Sequence, residues 1–174
     1  MIFERLRFWW LTHRLRNEPY AYDLTGALSE FMEKASTSFL ISALANRDEE
    51  IRTEAAGALG SRAAQAAEEL RWRAACRAVP SLIAALNDSS LMVRYTAADR
   101  LGTLLFRLKD PRSVKPLIEA LIAKLKSGTW DCDPHGIYNV NTKVVSALVG
   151  SAEEAQVCVA KIIDANLADP DQLL

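Results

Sequence analysis

At 174 residues the chain is long enough for one hydrophobic core and shorter than most two-domain proteins. Half of it is apolar and a quarter charged, which excludes an intrinsically disordered composition. The formal charge of -1 asks for neither a nucleic-acid nor an acidic partner, although the first residues form a local basic patch.

Ala and Leu dominate the apolar fraction, and aromatic and β-branched residues are sparse through the middle. Long strands need more of both, so the composition favours helices. The cysteines Cys76, Cys132 and Cys158 are far apart, odd in number and never spaced CxxC. Reduced thiols and a cytoplasmic setting follow as the expectation. In the opening MIFERLRFWWLTHRLR charges interrupt every apolar run, so no signal peptide is read there. No run approaches the roughly 20 apolar residues of a membrane span.

In chain order, Phe3, Leu6, Trp9 and Trp10 share a helical stripe, decorated by Arg5, Arg7, Arg14 and Arg16. The stripe predicts a capping helix whose aromatic face covers the open end of the fold. An amphipathic helix on a membrane surface or a partner is the alternative for residues 1–16. If the cap forms, Trp9 and Trp10 cannot both point fully into one narrow groove, so one is expected to be partly exposed. DLTGALSEFMEKASTSFLISAL gives at least one further helix.

An internal repeat then takes over. FLISALANRDEEIRTEAAGALG (Phe39 to Gly60) aligns with SLIAALNDSSLMVRYTAADRLG (Ser81 to Gly102) at an offset of 42 positions. Leu40 meets Leu82, Leu44 meets Leu86, Ile51 meets Val93 and Arg52 meets Arg94. Ala55 and Ala56 meet Ala97 and Ala98, and Leu59-Gly60 meets Leu101-Gly102. Each unit reads as two helices. The first carries apolar residues three and four apart, a polar break follows, and the second is Ala-rich on one side. Asp48 and Asp88 are placed near the start of the second helix, where a carboxylate receives orphan N–H groups. Gly60 and Gly102 are read as helix ends. Arg62 to Val79, which includes Trp72, is extra helical length, either an extension or a separate short helix.

A third first-helix begins near Arg112, with Pro111 at its start and Pro116 inside its first turns. There Leu117, Ile118 and Leu121 take the places of Leu82, Ile83 and Leu86, and Pro80 precedes Leu82 much as Pro116 precedes Leu117. A proline so placed is tolerated as a kink. KSGTWDCDPHGIYN reads as an inserted loop, 126–139. Val140 to Ser151 resumes as a second helix, with Asn141 where the repeated arginine would stand. A last helix runs from about Ala152 to Asn166.

VPSLIAALNDSSLMVRYTAADRLG, DPRSVKPLIEAL and, more weakly, IRTEAAGALG resemble HEAT repeats, in the short bacterial variety often called phycobiliprotein-lyase HEAT-like repeats. The resemblance covers about Phe39 to Leu125 well and Val140 to Asp169 loosely. It implies an all-α, short α-α superhelix: a single solenoid domain over 1–174, with 1–36 as an N-terminal cap region. It also implies that Arg52 and Arg94 bond a turn aspartate between repeats. It says less about function, because the matching residues pack.

Solenoids bind along a concave face built by their second helices. Those helices offer Arg52, Glu54, Arg94, Tyr95, Asp99, Arg100 and Lys143. Tyr95, Asp99 and Arg100 do not repeat, since Thr53, Gly57 and Ala58 stand in the preceding unit. The partner-binding candidates are therefore Tyr95, Asp99, Arg100, Arg94 and Arg52, joined by Trp130, His135 and Tyr138 of the loop. Asp131, Cys132, Asp133 and His135 lack the spacing of a closed metal site, and neither metal binding nor thiol catalysis is expected. His13 needs no catalytic role, and no phosphate loop, HExxH pair, nucleophile elbow or dinucleotide fingerprint is present.

The expectation is a non-catalytic protein-binding adaptor without a cofactor, whose partner is another protein and not a nucleic acid. One alternative is a bilin lyase or chromophore-handling subunit acting on a phycobiliprotein, with arginines near the propionates of a tetrapyrrole. A third is a DNA glycosylase resembling the HEAT-like alkylpurine enzymes, in which Trp72, Trp130 and Asp99 would converge. The near-neutral charge and short array weigh against it.

Overall fold

Short polar runs punctuate the chain, and at several of those described a side chain starts the next helix. Ser36 accepts the Phe39 amide at 3.3 Å and opens a helix at Thr37. Asp48 accepts the Glu50 amide at 3.0 Å and Asn139 the Thr142 amide at 2.9 Å, each at the head of a longer helix. These side chains satisfy donors that a helix start leaves without intrahelical partners. The 42-residue offset pairs Asp88 with Asn46 rather than with Asp48. Both bond the amide two residues on: Asn46 Oδ1 accepts from Asp48 at 3.0 Å and Asp88 Oδ1 from Ser90 at 2.8 Å. Asp88 is thus a turn residue, and the capping position beside it belongs to Ser90.

The computed structural model describes residues 2–17, 22–68, 72–107, 119–124 and 131–149. Its helices are α1 (Ile2–Asn17), α2 (Tyr22–Lys34), α3 (Thr37–Ala43), α4 (Glu49–Glu68), α5 (Trp72–Ala85), α6 (Leu91–Arg107) and α7 (Val140–Val149). Residues 119–124 are also helical. Among the described residues there is no sheet, only an isolated antiparallel bridge between Cys132 and Asn139. Most of the third first-helix (from Arg112 to Ile118, with Pro111 and Pro116) and the last helix (152–166) lie outside the described residues.

The helices form two layers. α2, α4, α6 and α7 pack side by side, each against the next, while α3 and α5 lie behind α4 and α6. The fold is an all-α array with a solenoid's neighbour-to-neighbour packing. Leu40, Leu59, Leu82, Val93 and Leu101 are fully buried, together with Ala55, Ala56, Ala97 and Ala98. Each large side chain buried this way stabilises the fold by about 1.5–3 kcal/mol. Leu44 and Leu86 are less equivalent: Leu86 is buried, and Leu44 is half-buried at the α3 C-cap. Leu121 of the 119–124 segment and Val140, Val144 and Leu148 of α7 extend the same core.

Three sequence expectations change. Gly60 and Gly102 are not helix ends; α4 runs on to Glu68 and α6 to Arg107. Both glycines sit where neighbouring helices touch. A Cβ on Gly60 would overlap the Cβ and Cγ of Arg100, and one on Gly102 would lie 2.8 Å from the Cβ of Ala147. Close approach of α4 to α6 and of α6 to α7 explains them. Second, the stretch between the units is both an extension and a new helix: α4 lengthens to Glu68, and α5 starts at Trp72 with Pro80 in its interior. Third, α1 docks through Phe8 and Leu11, not through its tryptophans. Phe8 lies 6.0 Å from Phe31 and 5.1 Å from Phe39 between ring centres, and Leu11 is buried. Trp9 and Trp10 are 63% and 48% exposed, so both tryptophans, not one, face outward.

Gly60→Ala is expected to destabilise the protein by roughly 1–3 kcal/mol, the usual cost of overpacking. Gly26→Ala is the control: it is helical with nothing within 4 Å of the added Cβ. It should stabilise by up to about 1 kcal/mol through helix propensity. Urea denaturation of both variants measures the contrast.

Candidate functional site

The two repeated arginines face inward. Arg52 donates from Nε and Nη2 to the two carboxylate oxygens of Asp88, both at 2.8 Å, and from Nη1 to the Asn46 and Arg47 carbonyls at 3.0 Å. Arg94 repeats the pattern one unit on. It donates to both oxygens of Asp131 at 2.8 and 2.7 Å and to the Asp88 and Ser89 carbonyls at 2.7 and 2.9 Å. Each guanidinium therefore ties its own inter-helix turn to the aspartate of the next turn. The planar fork suits this, because it serves a carboxylate and two carbonyls at once. Arg52 is only 9% exposed, and with Arg94 it is engaged inside the protein rather than offered to a partner.

Asp131 places the inserted loop in register. It also accepts from Lys124 Nζ at 2.9 Å, and it is buried. It is the turn aspartate of its own repeat. The insertion proper is the tongue 132–139, which separates Asp131 from α7. Val140 N donates to the Asp131 carbonyl and Asp133 N to the Tyr138 carbonyl, at 2.9 and 3.2 Å. Asp133 then accepts the Tyr138 and His135 amides at 2.6 and 3.2 Å, and Gly136 turns the chain with φ 68°. Asp133 thus holds the tongue together. Among the described residues no group of His, Cys, Asp and Glu side chains could hold a metal ion. His135 is exposed at the tip, and Trp130 lies outside the described residues.

The remaining candidates divide between the two sides of α6. Tyr95 and Asp99 face α7. Lys143 Nζ lies 2.8 Å from Asp99 Oδ1 and 5.2 Å from the centre of the Tyr95 ring. Tyr138 meets Tyr95 edge to face, 5.4 Å between centres at 85°. The bond to Asp99 raises the Lys143 ammonium above its ordinary value, with Tyr95 adding to it against desolvation. Arg100 faces α4 instead. Its stem lies against Gly60, and its nearest contact with Asp99 is 3.9 Å. The structure thus joins Tyr95, Asp99 and Tyr138, while Arg100 lies along α4 and reaches the group only through a long ion pair with Asp99.

Beside this group runs an open groove of about 240 Å³ between α6 and α7, lined by Asp99, Gly102, Thr103, Phe106, Lys143, Ser146 and Ala147. Phe106 at its edge is 79% exposed, and Ile137 on the tongue is 68% exposed. Sequence reasoning left Phe106 and Ile137 out of the site; it named Asp99 as a candidate and Lys143 among the concave-face residues without pairing the two. Phe106 had a signal, since Ala64 stands at the same place in the preceding unit. Lys143 flanks the core stripe of α7 (Val140, Val144, Leu148) on the side that meets α6, and no repeat counterpart marks it.

Residues 49–104 match the HEAT-like repeat family. The match spans α4, α5 and most of α6, and so holds the Arg52–Asp88 rung and the base of Arg94. A comparison with curated proteins gives no match. The HEAT-like region accounts for the packing residues and for the arginines. The tongue and α7 lie beyond it.

Asp131→Asn is expected to cost roughly 3 kcal/mol, because it leaves the Arg94 and Lys124 cations without their carboxylate. The Arg94 and Lys124 bonds hold the Asp131 carboxyl below the ordinary range despite burial. At Asp88 burial pushes upward, and the Arg52 and Ser90 bonds outweigh it, so its value is lowered too. Depressed folded-state values mean that this stabilisation is complete above about pH 4 and is lost as pH falls through them. Thermal unfolding followed by circular dichroism should show the wild type losing more stability than Asp131→Asn between neutral and acid pH.

Proposed function

We propose that this chain is a non-catalytic protein-binding module that captures its partner on the α6–α7 groove and the tongue. The observation that carries this reading is the contrast between the two kinds of polar residue. Arg52 and Arg94 recur and are consumed by packing. Tyr95, Asp99, Lys143, Tyr138 and Phe106 do not recur, lie together, and stay partly or largely exposed. The exposed Phe106 at one end of the groove, and the Tyr95–Tyr138 pair beside the half-exposed Lys143–Asp99 ion pair at the other, have the composition of a binding surface of aromatic anchors with a polar rim. The HEAT-like match is consistent with protein–protein roles in general. The half-exposed Arg100 guanidinium, 3.9 Å from Asp99, supplies a further charge nearby.

The resemblance to the lyase variety of these repeats suggests bilin handling as a finer reading. A tetrapyrrole would need cations for its propionates, and Lys143 is the only cation lining this groove among the described residues. Protein binding is therefore preferred. The glycosylase alternative needs Asp99 free beside Trp72 and Trp130. Asp99 is paired with Lys143, and the side chains of both tryptophans lie outside the described ones. Among the described residues no helix is long and apolar enough to cross a membrane.

Phe106→Ala/Tyr138→Ala tests the proposal. Phe106 is largely exposed, so its loss should change stability by no more than about 0.5 kcal/mol, and loss of the Tyr138 ring contact with Tyr95 should cost about 0.5–1.5 kcal/mol. Affinity for the bound protein should fall roughly tenfold or more. Affinity capture with quantitative mass spectrometry, followed by titration of the recovered protein, reads this out. Equal affinities for wild type and variant would move the binding site elsewhere.

A further inference from the structure

Trp9 and Trp10, on the side of α1 turned away from α2 and α3, are exposed among the described residues. Phe8 and Leu11 fix one side of the helix on α2 and α3, which leaves Trp9, Trp10, His13 and Asn17 on the other. That outer side is ordered by its own contacts. Trp9 stacks on His13 with ring centres 5.2 Å apart and planes 7° apart, and the Arg14 guanidinium lies 5.2 Å over the Trp10 ring. Asn17 Nδ2 lies 3.2 Å from His13 Nε2. Two adjacent tryptophans at 63% and 48% exposure are a large apolar area to leave in water.

Charge is concentrated on the same helix. Residues 1–17 hold four arginines (Arg5, Arg7, Arg14, Arg16) and one acid (Glu4), a net +3, so the rest of the chain carries -4 to make the total of -1. Docked by its inner side on α2 and α3, the helix offers an outer side with Trp9, Trp10 and Arg14 that is a ridge rather than a groove. A ridge of this chemistry complements a planar, deformable, negatively charged surface better than a nucleic-acid strand, which needs a channel that tracks its backbone.

We infer that α1 is a docking helix for an anionic lipid surface, with Trp9 and Trp10 entering the headgroup region and the net positive charge of the helix holding it there. Tryptophan favours that depth because its ring is apolar and its N–H still finds acceptors. Docking there leaves the α6–α7 groove free, so the chain would present its protein-binding face from a membrane surface.

Cosedimentation of the whole chain with vesicles tests this. One set is pure phosphatidylcholine and the other is phosphatidylcholine with phosphatidylserine in equal parts. Three net charges predict a preference for the anionic set on the order of a hundredfold at low salt. Molar salt shortens screening to about 3 Å and should abolish the preference. Trp9→Ala/Trp10→Ala should weaken binding roughly tenfold or more while circular dichroism stays unchanged. Arg14→Gln/Arg16→Gln should reduce the preference for the anionic set and leave the weak binding to neutral vesicles in place. Equal binding to both vesicle sets, or full binding by the tryptophan variant, overturns the inference. So does the absence of vesicle binding together with a dimer that the tryptophan variant dissociates, which would assign the face to a second copy of the chain. Salt-sensitive binding to single-stranded DNA without vesicle binding overturns it as well.

Discussion

The arginine fork that joins one turn to the next is the constraint on which the array depends. Helix pairs stacked by small side chains can slide along one another, because Ala against Ala gives contact area but little direction. A guanidinium that engages two carbonyls of its own turn and both oxygens of the next aspartate tolerates neither a shift nor a rotation. The bond from Arg52 spans 36 residues to Asp88, and that from Arg94 spans 37 to Asp131. Two rungs of nearly equal span fix the rise from one unit to the next. The glycines add a second constraint: a Cβ at Gly60 would overlap Arg100 and one at Gly102 would crowd Ala147, so these helix pairs hold their spacing only with glycine there.

The inserted loop becomes intelligible in that light. The first described residue of that loop, Asp131, is one the array requires, and the tongue 132–139 follows it. The tongue is therefore anchored at its base by a buried carboxylate with two cations and at its end by the cap of α7. A protruding segment held in this way presents Tyr138 at a defined position beside Tyr95. Rigid support for a variable loop is how repeat folds acquire individual binding surfaces. At α1 the same separation holds: Phe8 and Leu11 secure the helix, and the tryptophans are left available.

Much of this was legible from residue spacing. The offset between the units located the core leucines, the Ala-Ala pairs and the two arginines, because packing between repeats imposes the same side-chain volume at the same step. The roles of Gly60, Gly102 and Asp131 were not legible. Glycine near the end of an apolar pattern reads equally as a helix stop or as a contact point, and only the path of the neighbouring helix decides. Asp131 sits in a polar run where any aspartate looks alike, and its partner Arg94 lies far away in sequence. The site was legible in part. Tyr95, Asp99 and Tyr138 stood out because they break the repeat, whereas Phe106 and Lys143 needed the α6–α7 contact to be placed.

The sequence by itself determined an all-helical array, its period and the residues that fill it, since those follow from local periodicity and repetition. Tertiary structure alone decided which side of each helix remains open. It turned Arg100 toward α4 and Asp99 toward Lys143, and it chose Phe8 and Leu11 over the tryptophans as the anchor of α1. The physical reason is that a helix carries side chains all round its axis. Which of them meets water depends on where its neighbours lie, and that is fixed by contacts between residues distant in the chain.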